Sequence, residues 1–172
     1  MKNQALQDLM KNELIQLIEL YSKNWLAMDG VWFQSIEEKY GMAEAMKHDA
    51  NAWRRFTVIE AKKIKDFLKL PEQAGIEGLQ KALTLRFYAN INKDEIRIEG
   101  NTLLYRTLEC RVQNARQRKN MPWHPCKTVG IIEYTGFAKT IDERFSCEAI
   151  SCYPEIYDTT CACSWKFTLQ EK

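Results

Sequence analysis

At 172 residues the chain is long enough for one domain with a single substantial core that needs no disulfide staples. Hydrophobic residues at 45% and charged residues at 28% are ordinary for a globular protein, and a net charge of +2 gives no bulk electrostatic reason to expect nucleic acid. No apolar run reaches membrane-spanning length and Met1 to Asp8 lacks the core of a signal peptide, so the expectation is a cytosolic protein with no membrane partner and reduced thiols.

Residues 1–90 read as mainly helical. Leu6, Leu9, Met10, Leu14, Leu17, Tyr21 and Trp25 recur at spacings of mostly three and four and form one apolar stripe. Asp29-Gly30 reads as a break, after which Val31, Trp32, Ile36 and Tyr40 carry the pattern to Gly41. Asp49 is placed to cap a longer helix bearing Trp53, Phe56, Glu60, Ile64 and Phe67, which Leu70-Pro71 stops. Glu60 falls beside the apolar stripe, and the rim is its expected place. A further helix is predicted from Gly75 to Tyr88, with Ile76, Leu79, Leu83 and Phe87 inward.

Residues 91–172 change period. Glu95 to Glu99 alternates, Gly100-Asn101 supplies a turn and Thr102 to Glu109 continues extended, which predicts a hairpin. A short helix over Val112–Lys119 and a longer one over Cys126–Thr140 follow, then two strands over Arg144–Cys152 and Cys161–Leu169. Gly130 and Gly136 stand against the longer helix. Together these predict an α+β fold of N-terminal helices packed on a short antiparallel sheet formed mainly by the second half.

Chemistry concentrates between Cys110 and Phe167, which holds all six cysteines. Cys126 follows Pro125 at a helix start, where unpaired backbone N–H groups and the helix dipole favour a thiolate. His124 stands two residues before it as a candidate base. The opposing reading is a helix-entry cysteine that fills a gap. Arg111 and Arg118 lie two turns apart on one predicted helix face and Arg116 points away from it. Arginine forks suit a carboxylate or phosphate, and a solvated face is the plain alternative. Nucleic-acid binding would want aromatic platforms among these charges, and only Trp123 is near. In the last strand Cys161, Cys163, Trp165 and Phe167 share one face, with Cys147 inward on its neighbour and Cys152 on the opposite face or in the loop. Buried thiols are the first reading. A zinc ion held by Cys147, Cys152, Cys161 and Cys163 is the second, although the usual Cys-x2-Cys pairs are absent. Trp25, Trp32, Phe33, Trp53 and Phe56 read as core, with Trp32 and Trp53 also suited to wall a pocket to which Asp29 and Gln34 would add polar groups.

The run Cys110-Arg111-Val112-Gln113-x-Ala115-Arg116-x-Arg118-Lys119, then Pro125-Cys126-Lys127-x-Val129-Gly130 and Glu133-Tyr134-x-x-Phe137-Ala138-x-Thr140-Ile141-Asp142, resembles a group of small bacterial proteins related to the L-2-amino-thiazoline-4-carboxylate hydrolase-like family. Asn24 to Gln34 matches the same group, so the resemblance covers most of the chain. The helix followed by cysteine-bearing strands is more distantly similar to 4-vinyl reductase small-molecule-binding domains. The resemblance implies an α+β module for a small ligand. It brings no assigned reaction with it.

The leading expectation is therefore a protein that binds an anionic, carboxylate-bearing molecule near Arg111, Arg116, Arg118, Trp32 and Trp53. In a hydrolytic version Cys126 attacks, and His124 or Glu133 moves the proton. The rivals are a non-catalytic sensor that binds a ligand or metal and reports through homodimer contacts, and a nucleic-acid adaptor.

Overall fold

A computed structural model describes residues 3–171. A short helix α1 (Gln4–Gln7) leads into two long ones, α2 (Lys11–Tyr40) and α3 (Met42–Phe67). α4 (Gly75–Leu83) and a 3-10 turn over Phe87–Asn90 precede the hairpin β1 (Lys93–Glu99) and β2 (Thr102–Glu109). Next come α5 (Arg111–Arg118), α6 (Lys127–Ile141), β3 (Phe145–Cys152) and β4 (Cys163–Leu169). The four strands form one antiparallel sheet in the order β1-β2-β4-β3. This is the predicted α+β arrangement, with α6 packed on β3 and across α3. Among the described residues no helix is long and apolar enough to cross a membrane.

Three helix boundaries differ from expectation. α2 runs through Asp29-Gly30 without a break. One interior glycine costs a helix only about 1 kcal/mol, and packing of Ser22 and Phe33 on either side offsets it. The turn between α2 and α3 falls at Gly41, whose φ of 85° is easy only for glycine. Asp49 therefore sits inside α3 and caps nothing. α4 stops at Leu83, five residues early, because Arg86 is drawn into the interior and the chain turns to deliver it.

The core joins Ala61 of α3, Leu79 and Leu83 of α4, Leu103 and Tyr105 of β2, Phe137 and Ile141 of α6, Phe145 of β3, and Trp165 and Phe167 of β4. Gly130 and Gly136 are close-approach positions in α6. A Cβ at Gly130 would stand 2.6 Å from the Trp165 indole, and one at Gly136 would stand 2.7 Å from Thr57. Both glycines let the helix lie closer to its neighbours than a side chain would permit.

Glu60 is not at the rim. It is buried against Arg86, whose Nε donates to Glu60 Oε2 at 2.9 Å while Nη2 donates to Glu133 Oε1 at 2.6 Å. The guanidinium lies over the Phe137 and Tyr134 rings, 4.8 and 5.3 Å from their centroids. One cation between two carboxylates leaves a buried excess of negative charge. Burial foremost, with Arg86 opposing it, raises the Glu133 pKa to about 7.

Candidate active site

A cavity of about 370 Å³ opens between α2, α3, α5, α6 and the β2 and β4 strands. The sequence builds it by bringing three distant pieces together. α3 contributes Asp49 and Trp53, the α5–α6 segment contributes Gln113, His124 and Cys126, and the sheet contributes Cys152, Cys163 and Trp165. Arg116 locks the α5 end in place. It is buried, its Nη atoms donate to both oxygens of Glu37 at 2.8 and 2.6 Å, and its Nε donates to the Pro122 carbonyl. The expected ligand role of Arg116 is thereby closed, since its fork is already filled.

The loop that carries His124 is held by a reciprocal amide pair. Gln113 Nε2 donates to the His124 carbonyl at 2.8 Å, and the His124 N–H donates to Gln113 Oε1 at 3.1 Å. The Cys126 N–H then donates back to the His124 carbonyl at 2.8 Å, which sets the thiol at the N-cap of α6. Nε2 of the buried imidazole stands 3.4 Å from Asp49 Oδ2. Nδ1 is buried with no well-formed hydrogen bond among the described residues.

The electrostatics follow from these contacts. Burial opposes a charge on His124, but the Asp49 carboxylate and then Cys126 outweigh it and hold the imidazole pKa at about 9. The Cys126 thiol is drawn down to about 5. The S–H of Cys152 at 3.5 Å contributes most, burial opposes, and His124 and Gln113 add to the lowering. At neutral pH the pair is thus a thiolate beside an imidazolium. Asp29, on the α2 wall, has its pKa raised to about 6 by burial and then by Asp49. A thiolate, an imidazolium and an orienting carboxylate in series can carry out nucleophilic catalysis with general-acid assistance.

The other candidates divide. Glu133 lines the cavity two turns along α6 from Cys126, with Oε1 committed to Arg86. Trp53 is buried and walls the cavity, whereas Trp32 is 64% exposed and lies outside it. Arg111 and Arg118 are exposed at the mouth, and their side chains make no hydrogen bond or ion pair among the described residues. Lys119 beside them donates to Gln34 at 3.0 Å.

Cys147, Cys152, Cys161 and Cys163 do not converge. Cys147 is paired in register with Phe167 and packs against the core, and Cys161 turns to Asp158 Oδ2 at 3.4 Å outside the sheet. Among the described residues no group of three or more His, Cys, Asp or Glu is placed to hold a metal ion.

Sequence periodicity places neither Cys152 nor Cys110 in the cavity. The register of β3 shifts between Ala149 and Ser151, so Ile150 is an extra residue and Cys152 returns to the inward face opposite Cys163. Cys110, at the N-cap of α5, also lines the cavity, with its pKa raised to about 12 chiefly by burial. Asp49 and Gln113 are likewise brought to the site by tertiary contacts. No residue-level signal marks Asp49, because its partner lies 75 positions away in sequence.

A family model described as a family of unknown function (DUF6125) matches residues 7–169. The chain belongs to this family. No curated protein and no solved structure matches it.

Proposed function

We propose that this DUF6125 protein binds a small carboxylate-bearing molecule in the cavity and hydrolyses it with Cys126 as the nucleophile. The observation that supports this most is the series Cys126, His124 and Asp49 on the wall of a cavity sized for a small molecule. The uncommitted guanidinium groups of Arg111 and Arg118 at the mouth suit the carboxylate, and the aromatic walls of Trp53, Tyr88 and Tyr134 suit the body of the ligand. The resemblance to the amino-thiazoline-carboxylate hydrolase-like group points the same way.

In this reading the Cys126 thiolate adds to an amide carbonyl or an amidine carbon, and the His124 imidazolium protonates the leaving nitrogen. Neutral His124 then takes a proton from the water that cleaves the thioester or thioimidate. Asp49 holds the imidazole in position and favours its charged form.

The test is a mass-spectrometric screen of carboxylate-bearing amides and cyclic amidines, run with wild-type protein and Cys126→Ser. Hydrolysis that disappears in the variant is the expected result. Full turnover by the variant overturns the proposal, and a ligand retained without turnover by the wild type assigns the cavity to binding alone.

A further inference from the structure

The Cys126 and Cys152 sulfurs stand 3.5 Å apart, and both face the cavity. A disulfide requires about 2.05 Å, so the sulfurs must approach by about 1.5 Å to bond. Neither position is incidental. Cys126 is set by the Gln113 clamp on the preceding loop, and Cys152 faces inward only because of the bulge at Ile150. The two thiols also differ in character. Cys126 is held as the thiolate by its neighbours, while Cys152 keeps its proton and donates it toward Cys126. An attacking thiolate beside a protonated partner is the arrangement that reversible thiol oxidation needs.

We propose that Cys126 and Cys152 form a dithiol–disulfide centre that reduces hydroperoxides small enough to enter the cavity. This activity goes beyond the hydrolytic reading and shares its nucleophile. The Cys126 thiolate attacks the terminal oxygen of the hydroperoxide. The O–O bond breaks, and its electron pair leaves on the alkoxide, which takes a proton from the His124 imidazolium. The products are an alcohol, a Cys126 sulfenic acid and a neutral His124. Cys152 then gives its proton to His124 and attacks the Cys126 sulfur. The S–O bond breaks, and the departing hydroxide recovers that proton and leaves as water. Sulfur has lost two electrons and the peroxide has gained them. Two equivalents of a low-molecular-weight thiol restore the pair by exchange and leave as their own disulfide.

The experiment treats the reduced full-length protein with one equivalent of hydrogen peroxide, blocks remaining thiols and maps the peptides. A Cys126–Cys152 disulfide is expected in wild type and in Cys163→Ser, with a dimedone-trappable sulfenic acid at Cys126 in Cys152→Ser. Over-oxidation of wild-type Cys126 to the sulfinic acid without a disulfide, no oxidation of Cys126, or a disulfide that recruits Cys163 instead overturns the proposal. A parallel sample of reduced protein is alkylated with iodoacetamide at pH 6. Rapid labelling of Cys126 there with no disulfide after peroxide rejects the redox centre and leaves the hydrolytic nucleophile standing. Absence of labelling rejects both.

A second observation is independent of the site. Leu14, Ile18, Tyr21, Trp25, Met28 and Trp32 of α2 are between 36% and 64% exposed. Their spacing of 4, 3, 4, 3 and 4 residues places them within an arc of about 80°, and it is the repeat by which helices pair as coiled coils. Each half-exposed aromatic offers on the order of 100 Å². With the aliphatic side chains the face approaches the roughly 800 Å² that one partner gives a standard interface, above the largest apolar patch of a typical monomer, about 300–600 Å².

We infer that α2 pairs with α2 of a second copy of this chain through this stripe, since a continuous 3-4 repeat is complementary to itself under two-fold symmetry. Sedimentation analysis at micromolar concentration is expected to give a dimer, and Ile18→Glu or Met28→Glu a monomer with an unchanged circular dichroism spectrum. A wild-type monomer, or a dimer that survives both substitutions, overturns the inference.

Discussion

Oδ2 of Asp49 on α3 stands 3.4 Å from Nε2 of His124, so a carboxylate 75 residues upstream governs the charge of the imidazole that adjoins Cys126. The consequence is a coupled series in which a change at either end is felt at the other.

Asp49→Asn tests this directly. Loss of the carboxylate removes the main influence that raises the His124 pKa, so the ring becomes neutral near pH 7 and the thiolate loses its cationic neighbour. Alkylation of wild-type Cys126 is expected to rise through an inflection at about pH 5. In the variant that inflection moves upward by about 1 pH unit or more. Coincident profiles would remove Asp49 from the series.

Arg86→Met leaves Glu60 and Glu133 buried without their shared cation. Breaking a buried pair by removing one partner costs about 3–5 kcal/mol, and urea denaturation at neutral pH reads the loss directly. A cost below about 1 kcal/mol would mean that water reaches these carboxylates.

Gly130→Ala places a methyl group 2.6 Å from the Trp165 indole, which is itself buried between α6 and the sheet. Overpacking of this kind costs about 1–3 kcal/mol. A lowered melting temperature is expected, with a shift in tryptophan fluorescence as the indole moves. An unchanged melting temperature would show that the helix can retreat from the sheet.

Asp142 gives a dependence on acid. Arg144 first, and then the Gly75 and Arg144 backbone N–H groups, hold its pKa at about 2 against an ordinary 3.8, with burial opposing. A depressed folded-state pKa stabilises above the unfolded value and loses that contribution as pH falls through the folded one. Asp142→Asn is therefore expected to cost about 1–2 kcal/mol at pH 7, and the difference from wild type shrinks between pH 4 and pH 2. A difference that does not change with pH would assign the loss to packing.

The fold was largely readable where local periodicity decides it. Alternation in Glu95–Glu99 and the Gly100-Asn101 turn suffice for the hairpin, because adjacent strands and a tight turn need no distant information. The α5 and α6 helices follow from spacing in the same way. Arg86 shows where such reading stops. It sits in an apolar run as an apparent surface charge, and only the approach of Glu60 and Glu133 from other elements explains its burial. In the site, Cys126 and His124 are marked by the Pro-flanked turn at the start of a helix. Asp49 and Gln113 act through tertiary contacts that leave no local trace, and Arg116 carries the same positive charge whether it meets a ligand or Glu37.

Cys152 reaches the cavity through a count of residues rather than through its own identity. Ile150 is the extra residue that restores the inward phase after Ala149. A strand that kept Ile150 but paired without the bulge would retain all six cysteines, yet regular alternation would swing Cys152 to the other side of the sheet. The bulge is therefore under the same constraint as the thiols themselves, and a pairing that straightened it with Ile150 in place would separate the pair as surely as replacing either sulfur.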